Sequence, residues 1–236
     1  MSYTERDEEP SEAPFQAPVY VDEVTRRRRL IPPVVLAVPM IIAFAIVTWS
    51  QGSMNAWAVS APRLSEGAYE LLLLHMFAHG GLFHIAFNLM ALFVLGPSVM
   101  ERLGPLGWRS LCGFLALFFG SGLFGVALWL VINPSSTIPM LGASGAIFGL
   151  LGFLMRQPDP HGPPIPLASP AMARAFVEWI KLHLPLVLLF AIPMLFGSGF
   201  FGLAWEAHLG GFLGGLLLCG PLLAWFSDGP DWVFGE

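Results

Sequence analysis

NPSSTIPMLGASGAIFGLLGFLM, from Asn133 to Met155, joins a polar, proline-interrupted stretch to a short apolar run that begins at Ser144. Twelve helical residues, Ser144 to Met155, rise only about 18 Å, against a hydrocarbon core of ~30 Å. Such a helix cannot reach both faces of a bilayer, so the segment from Asn133 to Ala143 must dip inward to meet it. Irregular backbone at that depth is tolerated only where it is buried in protein or lines a wet cavity. A short helix starting in mid-membrane beside water is therefore a functional signature in its own right.

The rest of the chain supplies the membrane protein that this reading requires. Of 236 residues, 56% are hydrophobic and only 11% charged, a balance that excludes a water-soluble domain of this size. At roughly 20 residues per crossing the length accommodates about six helices and one tail, with no room for a second folded domain. Apolar runs predict helices at Ile31 to Trp49, Leu82 to Met100, Leu111 to Ile132, Ser144 to Met155, Leu182 to Phe196 and Ala207 to Trp225. Between the first two, Ser50 to Gly81 carries Trp57, Tyr69 and Leu71 to Leu74 but is not apolar for long enough to cross, which places it in the outer interface. The expected organisation is a disordered cytoplasmic tail over 1–29, a six-helix membrane domain over 30–226 and a short cytoplasmic tail over 227–236.

Charge sets the orientation. With a cytoplasmic amino terminus, Arg6, Arg26 to Arg29, Arg102, Arg109, Arg156, Arg174 and Lys181 fall on the cytoplasmic side and only Arg63 outside, in accord with the positive-inside rule. The run from Ile31 to Trp49 is too long for a signal-peptide core, although Val59-Ser60-Ala61 is a weak cleavage site, and it is read as a retained first helix. A nucleic-acid role for the four tandem arginines is the poorer reading beside this topological one, so the partners are the lipid bilayer and membrane proteins rather than nucleic acid. Cys112 and Cys219 lie in apolar stretches and read as small packing residues. Small size and the absence of a targeting segment suggest a bacterial inner membrane; oligomeric state is not encoded in any pattern seen here.

Ser144 opens its helix, where unpaired backbone N–H groups and the positive end of the helix dipole suit a nucleophile and an oxyanion alike. Taken alone it is equally a helix cap or a small packing residue. His208, in AHLGGFLGG, is the natural base for a serine hydroxyl and is expensive in an apolar helix without a partner. Both helices run inward from the outer surface, so the two residues begin at similar depth. Gly145 and Gly149, and Gly211 and Gly215, are small-xxx-small pairs that let the two backbones approach closely. His84 and Asn88 share one face of their helix and can donate hydrogen bonds toward an oxyanion, or clamp neighbouring helices. His75, His79 and His84 invite a metal reading, but no HExxH motif or carboxylate accompanies them, and no metal or other cofactor is expected. Glu206, two residues before His208, points to nearly the opposite side of the helix, which leaves a dyad with Glu206 at the wet mouth.

This constellation resembles the rhomboid family of intramembrane serine proteases over nearly the whole chain: the GxSG of Gly142 to Gly145, His208 with Gly211 and Gly215, and the HxxxN of His84 and Asn88. His75, His79 and Glu101-Arg102 also keep the family's spacing. The resemblance implies an all-α, six-transmembrane-helix rhomboid-like bundle with a short central fourth helix. It implies Ser144 as nucleophile, His208 as general base and then acid, and His84, Asn88 and the Ser144 N–H as oxyanion hole. It also implies transmembrane protein substrates cut near the outer surface. Two departures stand out. Glu70-Leu71 replaces a Trp-Arg pair in the first external loop, and Phe148 replaces a tyrosine beside the histidine. The rival readings are a catalytically silent relative that binds membrane clients and, more distantly, a transporter built on the broken fourth helix, for which no inverted repeat is visible.

Overall fold

The structure, a computed structural model, describes residues 23–104, 106–178, 180–181 and 204–226. Glu23–Arg28 (α1) is helical and turns through Arg29 and Leu30 into Ile31–Trp49 (α2). The helix thus begins ahead of residue 30, where the sequence reading ends its disordered tail. Arg27 pairs with Glu23 one turn back at 2.9 Å, and α1 needs no separate nucleation because it leads directly into α2. Pro32 and Pro33 stand in the first turn of α2, where a missing N–H is harmless.

Two short helices, Ala61–Ser65 (α3) and Leu71–Leu74 (α4), follow in the connecting stretch, then Leu82–Leu103 (α5), Trp108–Ile132 (α6) and Ser144–Arg156 (α7). Residues 170–178 form α8, opened by Ser169 accepting the Met172 N–H at 3.1 Å, and Trp205–Phe226 forms α9. Among the described residues there are 4 helices long and apolar enough to cross a membrane, namely α1 with α2, α5, α6 and α9. The crossing expected at Leu182 to Phe196 lies outside the described residues. No strand occurs among the described residues; Val59 and Met140 form one isolated antiparallel bridge.

The short helix α7 is the hub, packed against α5, α6 and α9. Its buried residues include Ala146, Ile147, Leu150 and Phe153, and they join Leu92, Val99, Phe114, Leu117, Phe118 and Cys219 in one core. By contrast α2 shows much of its surface, with Val34, Val38, Ile41 and Ile46 exposed, as expected of a peripheral helix facing lipid. At the end of the bundle where α7 stops, arginines bond backbone carbonyls, those of Trp225 and Gln157 at helix ends and the others within helices or the following loop. Arg156 Nη1 donates to Leu216 O at 2.7 Å, Arg109 Nη2 to Trp225 O at 2.7 Å, and Arg102 to Ser98 O, Gln157 O and Pro158 O. Arg29 reaches Glu101 at 3.0 Å and ties the start of α2 to the end of α5.

Candidate active site

At the opposite end, α7 begins immediately after a turn that only glycine can make. Gly142 has φ +119°, and a Cβ there would also fall 2.6 Å from His84 Nε2. Two contacts hold this segment: Met140 pairs with Val59, and the Gly142 N–H donates to His75 O at 2.8 Å. The stretch between α2 and α5 is therefore stitched directly onto the residues that lead into Ser144.

Ser144 is the first residue of α7, with Ala143 as the cap and no side-chain capping bond. Its hydroxyl is engaged elsewhere: Oγ lies 2.7 Å from His208 Nε2 on α9. The plain capping role that Ser144 could have had is not the one it adopts. The approach depends on a seam with no side chains. The place where a Gly211 Cβ would sit falls on Gly145 O, that of Gly215 on Gly149 O, and that of Gly145 3.1 Å from Ala207 O. Because Gly145 meets Gly211 and Gly149 meets Gly215 in the same order, α7 and α9 run parallel, and the small-xxx-small pairs let their backbones touch.

Phe148, one turn after Ser144, stacks on His208 with ring centroids 4.5 Å apart and planes within 13°. Glu206 does not bond the imidazole; its Oε1 accepts from Asn133 Nδ2 at 3.1 Å. From α5, His84 and Asn88 both face Gly142. The Gly80 N–H donates to His84 Nδ1 at 3.3 Å, so the neutral ring carries its proton on Nε2, the atom aimed at Gly142. Asn88 Nδ2 is buried without a hydrogen-bond partner among the described residues, 3.9 Å from where a Gly142 Cβ would be. An amide left unpaired in this position is an available donor.

His75 and His79, just outside the spanning helices, are nearly sealed from solvent at 3% and 1% exposure. Burial pushes the pKa of each down to about 4, and for His79 the neighbouring His84 adds to the effect. His75 Nδ1 bonds Leu71 O at 3.0 Å and His79 Nδ1 lies 3.3 Å from Phe77 O. Both rings brace the loop. Among the described residues no group of three or more His, Cys, Asp or Glu side chains could hold a metal ion.

Arg63, which entered the sequence reading only as a charge, has a structural role in the connecting stretch. Arg63 Nη1 donates to the carbonyls of Asn55, Ala56 and Ala58 at 3.1, 2.8 and 3.0 Å, holding the connecting stretch together. Leu71 itself is buried in a small cluster with Val59, Val126, Trp129, Met140 and Ala207.

The rhomboid domain family model matches residues 66–225, a span that holds Ser144, His208, His84 and Asn88. The chain is similar to rhomboid protease GluP of Bacillus subtilis (strain 168), 28% identical over 77% of this chain and 33% of that protein. It is 32% identical to the putative rhomboid protease YdcA of the same organism, over 49% of this chain and 59% of that protein. It is also 33% identical to rhomboid-like protease 5 of Toxoplasma gondii, over 60% of this chain and 15% of that protein. In each case the chain covers less than two thirds of the relative's length. Apolar crossing helices, a half-length helix that opens on the serine of a GxSG turn, and a family match over more than half of the sequence converge on one assignment: this chain belongs to the rhomboid family.

Proposed function

We propose that this chain is an intramembrane serine endopeptidase acting on transmembrane proteins near the outer membrane surface. The observation that carries the reading is the 2.7 Å approach of His208 Nε2 to Ser144 Oγ. As the substrate carbonyl arrives, Ser144 Oγ attacks its carbon and His208 Nε2 takes the hydroxyl proton. The oxyanion of the tetrahedral intermediate receives hydrogen bonds from the Ser144 N–H, His84 Nε2 and Asn88 Nδ2. Collapse breaks the C–N bond, and His208 returns the proton to the departing amine. Water entering from the outer surface then gives a proton to His208 and attacks the ester, releasing the acid and restoring Ser144. Among the described residues no carboxylate bonds the imidazole, so ring orientation falls to the stacked Phe148 and to the glycine seam.

The test needs no known substrate: reaction of the purified, membrane-embedded protein with a serine-reactive fluorophosphonate. Labelling of the wild type that disappears in Ser144→Ala and His208→Ala is the expected result. With a transmembrane substrate in hand, Asn88→Ala should lower kcat by about 10²- to 10³-fold, the effect of one lost oxyanion donor. A folded wild type that never labels would move the assignment to the client-binding reading.

A further inference from the structure

We propose that Glu206 and Asn133 form a latch that sets the position of the outer end of α9, and with it His208, making both positioning residues for the proposed reaction. The inference rests on the Ser144–His208 reading. Asn133 caps the end of α6, its backbone N–H bonding Trp129 O at 2.8 Å. Its side-chain Nδ2 has two hydrogens and two partners: Trp129 O at 3.1 Å and Glu206 Oε1 at 3.1 Å. One carboxamide thus joins the last turn of α6 to the first turn of α9. Both side chains are half-buried, where such a charge-assisted bond is screened less than at an open surface.

The position matters because of what lies next to it. Glu206 is the second residue of α9 and His208 the fourth, so their backbones belong to one turn. Backbone contacts hold α9 from Ala207 inward, where a Cβ on Gly125 would lie 2.7 Å from Ala207 O, one on Gly210 2.6 Å from Phe124 O, and one on Gly211 would fall on Gly145 O. Ahead of Ala207 the described residues form no such seam: Ala204 and Glu206 are half-buried and Trp205 is 54% exposed. A helix end secured by packing on one side only frays from the other. The Asn133–Glu206 bond is the polar contact that closes that side among the described residues. A carboxylate in the first turn also complements the positive end of the α9 dipole.

The experiment compares Asn133→Ala, Glu206→Ala, Glu206→Gln and the Asn133→Ala/Glu206→Ala double variant in the full chain. The first readout is the rate of inactivation by a fluorophosphonate, resolved into a maximal rate and an apparent affinity. The second is hydrogen–deuterium exchange across residues 204–212. Each alanine variant should lose about tenfold in maximal rate with little change in apparent affinity, and the double variant should lose no more than either single one. Glu206→Gln keeps an oxygen to accept from Asn133 and should recover to within about threefold of wild type. Exchange at the start of α9 should quicken in the alanine variants and not in Glu206→Gln. Additive losses, a Glu206→Gln variant as slow as Glu206→Ala, or unchanged exchange in all variants overturns the latch. A wild type that never labels removes the proposed reaction instead, and the exchange data alone then decide whether the latch exists.

Discussion

Phe148 lies flat on the His208 imidazole and offers it no hydroxyl, so ring stacking alone restrains the rotamer from that side. An aromatic pair of this kind is worth about 0.5–1.5 kcal/mol beyond its buried area. Phe148→Ala should therefore slow fluorophosphonate labelling by roughly three- to tenfold, whereas Phe148→Tyr should label at least as fast as wild type. The two histidines that brace the loop make a second prediction. Their imidazoles have folded pKa values of about 4 against an ordinary 6.5. Above pH ~6.5 the folded and unfolded chains both hold them neutral; as pH falls from 6.5 toward 4 only the unfolded chain takes up protons. Stability is consequently lost through that window, by at most about 3 kcal/mol for each residue. The melting temperature of the detergent-solubilised protein should fall between pH 6.5 and 4, and His79→Gln should flatten the slope. At this scale the sequence marks candidate residues and is silent about their partners. Ser144, His208, His84 and Asn88 announce themselves as polar residues in apolar helices. The Gly80 N–H that fixes the His84 proton and the His75 carbonyl that holds Gly142 are backbone atoms, which every residue possesses and no motif marks.

Between elements, the decisive contact is α7 against α9. Its glycines were legible because a spacing of four is a property of the helix itself: residues four apart share a face whatever surrounds them. The third participant was not. Ser121 of α6 fills the space where a Gly149 Cβ would lie, which makes the seam a three-helix junction, and nothing in the spacing of α6 singles it out. Gly211→Ala would press a methyl group onto Gly145 O and force the backbones apart. The expected outcome is a melting temperature lowered by the equivalent of about 1–3 kcal/mol and a loss of labelling more severe than that loss of stability explains. A Gly211→Ala protein that labels at the wild-type rate would mean that the seam does not set the Ser144–His208 distance. The connecting stretch between α2 and α5 teaches the complementary lesson. Its lack of a spanning length was plain from composition, but part of its order comes from Arg63 donating to the carbonyls of Asn55, Ala56 and Ala58, a geometry that depends on how the backbone folds back rather than on which residues supply the oxygens.

For the whole molecule, the arginines Arg102, Arg109 and Arg156 bond backbone carbonyls where α7 ends, and Arg63 lies with the connecting stretch at the other end. If the positive-inside rule orients the chain, Thr137 faces outward and Ala168 inward. In a Cys112→Ser background, a membrane-impermeant maleimide applied to intact cells should modify Thr137→Cys and leave Ala168→Cys untouched until the membrane is opened; the reverse pattern would invert the topology. The crossings α2, α5, α6 and α9 were legible from apolar length, since length against bilayer thickness is arithmetic. The half-length α7 was equally clear because it fails the same arithmetic. The seam beside it carries a further implication. Where backbone rests on backbone there are no rotamers to freeze, so closing α7 onto α9 loses almost no side-chain entropy and leaves no soft torsion through which the gap could widen. The spacing of the two helix backbones is thus gauged by the van der Waals radii of peptide groups, which leaves only the first turn of α9 and the two side-chain rotamers for other contacts to set.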